Sequence, residues 1–143
     1  MTHHHGTSRI VALSFLAVFF AGCQTDLTKA PASGRMDMLQ LKDYPQIAVQ
    51  PTLDEALVFA TAVVDPSTAD RPMHVRVPVR SIHDTGGLNI QYRFEFLDNR
   101  NLSLRTNSGW RFLHLTPRIQ TDLEGAALET KASDWRLEVR AAK

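Results

Sequence analysis

The chain has 143 residues, 43% of them hydrophobic and 22% charged, the composition of one small globular domain. Sixteen basic against fifteen acidic side chains leave a formal net charge of +1, which argues against a nucleic-acid binder. A single cysteine excludes an intrachain disulfide and a zinc–thiolate cluster, and the length excludes a large catalytic barrel or a two-domain dinucleotide enzyme.

Residues 10–20 read IVALSFLAVFF, with Ser14 the one polar side chain. As a helix this run reaches roughly 17 Å at about 1.5 Å per residue, short of the ~30 Å hydrocarbon core of a bilayer. It reads instead as the apolar centre of a secretory signal, with Arg9 before it, and residues 1–22 are expected to be the signal peptide. His3, His4 and His5 lie in the segment to be removed and carry no functional weight. Phe20-Ala21-Gly22-Cys23 resembles the lipobox of bacterial lipoproteins, with Phe20 where leucine is usual. Small residues there admit a peptidase to the scissile bond, and the thiol takes a diacylglycerol. The resemblance implies lipidation of Cys23 with three acyl chains in the mature protein, where two already hold a protein stably on a membrane. Gln24 rather than aspartate after the cysteine implies export to an outer membrane, with the domain facing the periplasm.

Residues 23–44 are expected to be the lipidated cysteine and a tether, because they mix Pro, Ala, Ser, Gly and charges with no sustained apolar period. A flexible coil of that length spans roughly 25 Å. Residues 45–143 are expected to be a β-sandwich domain. The clearest alternation is Ile90, Tyr92, Phe94 and Phe96 against Gln91, Arg93 and Glu95. Met73, Val75, Val77 and Val79 alternate with His74, Arg76 and Pro78, and Trp135, Leu137 and Val139 with Arg136 and Glu138. Shorter strands are predicted over 46–50, 57–64, 102–105, 110–115 and 118–123. Turn residues separate them at 65–67, 84–87, 98–101, 107–109 and 116–117. Thr52-Leu53-Asp54-Glu55 has the form of a capping box and predicts one helical turn over 53–56 before a strand. Pro78 donates no ladder hydrogen bond, so its strand is expected to be an edge there or to carry a bulge. Seven or eight short strands in such a domain predict an all-β, immunoglobulin-like two-sheet sandwich.

The run Leu88-Asn89-Ile90-Gln91-Tyr92-Arg93-Phe94-Glu95-Phe96-Leu97-Asp98 is similar to the central motif of the YcfL-like family of small bacterial lipoproteins. The resemblance continues through Trp110, residues 113–115, Pro117-Arg118 and Asp134-Trp135-Arg136-Leu137-Glu138-Val139-Arg140, and more loosely upstream to Met73-His74-Val75-Arg76-Val77. It departs over residues 65–72 and at Pro78. It implies an immunoglobulin-like sandwich and supplies no catalytic residue. Relatives encoded near activators of cell-wall synthases imply a link to cell-wall synthesis.

Candidate chemistry is sparse. Downstream of Cys23 the histidines are His74, His83 and His114, and no pair has the spacing that puts two ligands on one helix face. No metal site or cofactor is expected. Ser108, His114 and Asp98 form a hydrolytic triad on paper only, without a strained nucleophile turn to mark it. Gly86-Gly87 reads as a hairpin turn rather than a phosphate loop. Tyr92, Phe94, Phe96, Trp110, Phe112 and Trp135 could form a carbohydrate platform, but their alternation with polar residues assigns them to the core, Trp110 being the most exposed.

Charge is uneven along the chain. Residues 71–118 hold eight arginines, no lysine and three acids, and arginine suits bidentate binding of carboxylate or phosphate. Arg76, Arg80 and Arg93 are the candidate contacts for a ligand or partner. Alternatively the arginines pair locally, and a hairpin of 73–82 with 88–97 would set Arg76 opposite Glu95 and Pro78 opposite Arg93. The expected function is non-enzymatic: a membrane-anchored periplasmic interaction or scaffolding module of the cell envelope. A protein would bind it, by strand addition near Pro78 for instance. The alternative is a binder of anionic envelope ligands, lipopolysaccharide or glycan, through an arginine-rich face.

Overall fold

A computed structural model describes residues 32, 45–105 and 109–142. The signal peptide, Cys23 and all of the tether but Ala32 lie outside the described residues. Among the described residues no helix is long and apolar enough to cross a membrane.

Eight strands and one helical turn follow in order: β1 (Ile47–Val49), α1 (Pro51–Asp54), β2 (Leu57–Phe59), β3 (Val63–Asp65), β4 (His74–Ser81), β5 (Leu88–Leu97), β6 (Arg111–Leu115), β7 (Gln120–Ala126) and β8 (Asp134–Ala141). The first sheet has the order β1-β8-β5-β6. In it β1 runs parallel to β8, while β8 and β6 flank β5 antiparallel. In the second sheet β4 pairs β7 on one side and β2 and β3, end to end, on the other. The two sheets pack as a sandwich. Its β4–β7 and β5–β8 pairs hold the places of the central strand pairs of an immunoglobulin-like domain, and β1 lies where the last strand would.

Alternation puts Val75, Val77 and Val79 of β4 against Ile90, Phe94 and Phe96 of β5, with Leu115, Leu123 and Leu137 completing the core. Phe94 is its centre: its ring centroid lies 6.1 Å from Phe96 and 6.0 Å from Trp135. Gly125 of β7 passes directly over that ring.

Several local expectations are corrected. The β4 and β5 segments do not form a hairpin, because they belong to different sheets. The Gly86-Gly87 segment is therefore a crossing between sheets. Gly86 takes a left-handed φ of +70° there, a conformation glycine adopts without steric cost. Pro78 lies neither on an open edge nor at a bulge. It pairs with Asp122 in an unbroken β4–β7 ladder. Its carbonyl accepts from Ala60 N at 2.9 Å, so its missing N–H faces the gap between β2 and β3, where no ladder donor is required. That gap also splits the strand expected over 57–64. The helical turn starts at Pro51, with Gln50 as N-cap and no side-chain cap. The fixed φ of proline suits the first helical position, so no Thr52 capping box forms. Residues 102–105 contribute one isolated bridge, Leu97–Ser103, rather than a strand.

Candidate binding surface

The outward positions of the first sheet form a mixed aromatic and polar face. The β5–β8 register sets Gln91 opposite Arg140, Arg93 opposite Glu138 and Glu95 opposite Arg136. The β5–β6 register sets Gln91 opposite Phe112 and Asn89 opposite His114. Because alternate residues share a face, Trp110, Phe112 and His114 lie along one line.

Several of these polar groups have a defined side-chain partner. Arg93 donates to both oxygens of Glu138, through Nε at 2.8 Å and Nη2 at 3.0 Å. Its pKa is raised, chiefly by these hydrogen bonds. Arg140 donates Nε and Nη2 to Gln91 Oε1 at 3.0 and 2.8 Å. The guanidinium carbons of Arg93 and Arg140 lie 4.8 and 3.7 Å from the Trp110 ring centroid, within cation–π range. His114 Nδ1 meets Asn89 Oδ1 at 2.7 Å. Depressions of about 270 and 350 Å³ flank the stack. The first is lined by Gln50, Trp110 and Arg140, among others, and the second by Asn89, Phe112, His114 and Ala142.

The predicted site residues do not converge. Arg76 and Arg80 lie on β4 of the second sheet and Arg93 on β5 of the first. Arg80 is buried and Arg76 exposed. Other arginines of the 71–118 segment are also dispersed. Arg100 Nη2 is 3.3 Å from Asp98, Arg111 donates to the Glu124 carbonyl at 3.0 Å, and Arg118 is 3.5 Å from Asp84. The expected Arg76–Glu95 and Pro78–Arg93 pairs are replaced by Arg76–Glu124 and Pro78–Asp122, with Arg93 and Glu95 facing Glu138 and Arg136. The paper triad fails on distance: His114 pairs near one end of β5 and Asp98 follows the other, about 30 Å away along an extended strand. Ser108 lies outside the described residues. Among the described residues no three His, Cys, Asp or Glu side chains are grouped to hold a metal ion.

Phe112, expected in the core, is 70% exposed. The signal against burial is in its own strand: Leu113 and Leu115 share the parity opposite to Phe112 and His114, so the leucines take the inward face. The Arg140–Gln91 and Asn89–His114 pairs have no signal in the local sequence either. Their members are 49 and 25 residues apart, and no local pattern reports such pairing.

Residues 56–141, well over half of the chain, match the family described as "Protein of unknown function (DUF1425)". The fold is similar to the crystal structure of Campylobacter jejuni cj0090, with a TM-score of 0.58 and 21% identity, covering 68% of this chain and 98% of that one. It is also similar to the crystal structure of a DUF1425 family member from Shewanella sp. pv-4, with a TM-score of 0.53 and 17% identity, covering 61% of this chain and 79% of that one. No curated protein matches the chain.

Proposed function

We propose that this chain, which belongs to the DUF1425 family, is a membrane-anchored periplasmic lipoprotein of the YcfL-like type. It acts without catalysis, as an interaction module of the cell envelope. The observation that carries the reading is the outer face of the first sheet, where Trp110 stacks with Arg93 and Arg140 beside the exposed Phe112. Aromatic and arginine side chains together are what protein contact surfaces favour. Supporting the anchor are Phe20-Ala21-Gly22-Cys23, whose likeness to a lipobox implies lipidation of Cys23, and Gln24, which implies the outer membrane as its site. The docking partner is a protein, held within reach by that anchor.

The arginine-rich reading has less behind it. Arg93 is neutralised by Glu138, Arg136 faces Glu95, and Arg76 and Arg80 belong to the other sheet. The test is photo-cross-linking in cells, with the probe replacing exposed Arg136 and a Cys23→Ala chain as the unanchored control. A discrete protein adduct that vanishes in the control is the expected result. A folded, well-expressed probe that yields no adduct would overturn the docking role of this face.

A further inference from the structure

We infer that the β5–β6 margin of the same face is a subsite for a neutral sugar ring, formed by Phe112, His114 and Asn89. The inference rests on the reading of this face as the binding surface, and names a ligand class for one end of it. A pyranose presents an apolar C–H face and a rim of hydroxyls. Its recognition needs an open aromatic ring and hydrogen-bonding groups held beside it. Phe112, the second residue of β6, supplies the ring and is 70% exposed.

His114, two residues on, faces the same way and is held on two sides. Asn89 Oδ1 meets its Nδ1 at 2.7 Å, so a neutral ring carries its hydrogen on Nδ1 and keeps Nε2 as an acceptor. Gly87 lies against the ring's other edge, where a Cβ would overlap Cε1 and Nε2. A glycine at 87 therefore makes room for the imidazole in this position. The Asn89 amide adds donors. Phe112, His114, Asn89 and Ala142 line a depression of about 350 Å³, at the lower end of the size range of small-molecule sites. No carboxylate or guanidinium lines it, which favours a neutral ligand over an anionic one.

The experiment is an NMR titration of the full chain in a detergent without a sugar headgroup. The probes are a β-1,4-linked tetramer of N-acetylglucosamine and an α-1,4-linked tetramer of glucose, with heparin as the anionic comparator. Saturable shifts at Phe112, His114 and Asn89 with at least one neutral tetramer are expected. Phe112→Ala and Gly87→Ala should weaken that binding by about tenfold or more, and Phe112→Trp should preserve it. Lys131→Ala, an exposed change between β7 and β8, should leave it unchanged. No saturable shift with either tetramer up to about 10 mM, shifts with heparin alone, or undiminished binding by folded Phe112→Ala would each overturn the subsite. An Arg136 cross-linked adduct without sugar binding would also overturn it while sparing the docking reading. Sugar binding without that adduct would support the subsite and count against a protein partner.

Discussion

The guanidinium of Arg140 lies 3.7 Å from the centre of the Trp110 ring while two of its nitrogens donate to Gln91. Three strands meet in that contact. Trp110 enters β6, Gln91 belongs to β5 and Arg140 to β8. The β6 edge is thereby tied across β5 on the solvent side, where no core packing holds it. A cation on an aromatic face contributes about 0.5–1 kcal/mol at such exposed sites, modest in energy but directional.

A double-mutant cycle of Trp110→Ala and Arg140→Ala measures that contact. The expected coupling is about 0.5–1 kcal/mol, read from denaturant midpoints at constant slope. Coupling below about 0.3 kcal/mol, the ordinary error of additivity, would show the stack to be energetically neutral.

The Arg93–Glu138 pair is bidentate, but both side chains are well exposed, at 43% and 39%. Glu138→Gln is therefore expected to cost about 0.2–1 kcal/mol, and the difference should shrink in high salt. Denaturant unfolding at two ionic strengths checks this. A salt-independent loss several times larger would mean that the pair organises more than itself.

Which face the long strands β4 and β5 bury was legible in the sequence. The alternation of Tyr92, Phe94 and Phe96, and of Val75, Val77 and Val79, states which side is inward, and all six are buried. Which strands pair was not legible. Strands adjacent in sequence with a Gly-Gly between them read as a hairpin, yet β4 pairs β7 and β5 pairs β8. Period two encodes a face and carries no information about the neighbour in the sheet. The expected local pairing of Arg76 with Glu95 missed for that reason, since it needs β4 and β5 to pair and they lie in different sheets. Phe112 departs from its expected place for another reason. Its aromatic character weighed more than its parity with His114, and on a short edge strand the parity set by Leu113 and Leu115 decides.

Asp98 is the one carboxylate whose environment shifts it clearly among the described residues. It accepts from the Leu102 and Arg100 amides at 2.9 and 2.8 Å, and these bonds, with the Arg100 guanidinium, hold its pKa below the ordinary carboxylate value. A depressed folded pKa stabilises the fold above the unfolded value, near 3.9, and that contribution is lost as pH falls through the folded pKa. Asp98→Asn should therefore lessen the loss of stability below about pH 4. Carboxyl chemical shifts should place the Asp98 midpoint below those of other aspartates. A midpoint at or above the ordinary value would contradict the loop geometry.

Gly125 and Phe94 give the sharpest test of the core. A Cβ built on Gly125 would lie 2.5 Å from Phe94 Cγ and 2.9 Å from its Cβ. Both positions are buried, and Phe94 is braced by Tyr92, Phe96 and Trp135, so the ring has nowhere to retreat. Gly125→Ala is expected to cost about 1–3 kcal/mol, the usual penalty of overpacking. Gly109→Ala is the matched control, because a Cβ there meets nothing within 4 Å and its φ is not left-handed. It should be neutral, or stabilising by up to about 1 kcal/mol through the unfolded chain. If thermal unfolding shows the two alanine variants equally stable, β7 does not sit on Phe94 as described, and the β4–β7 register must shift to make room.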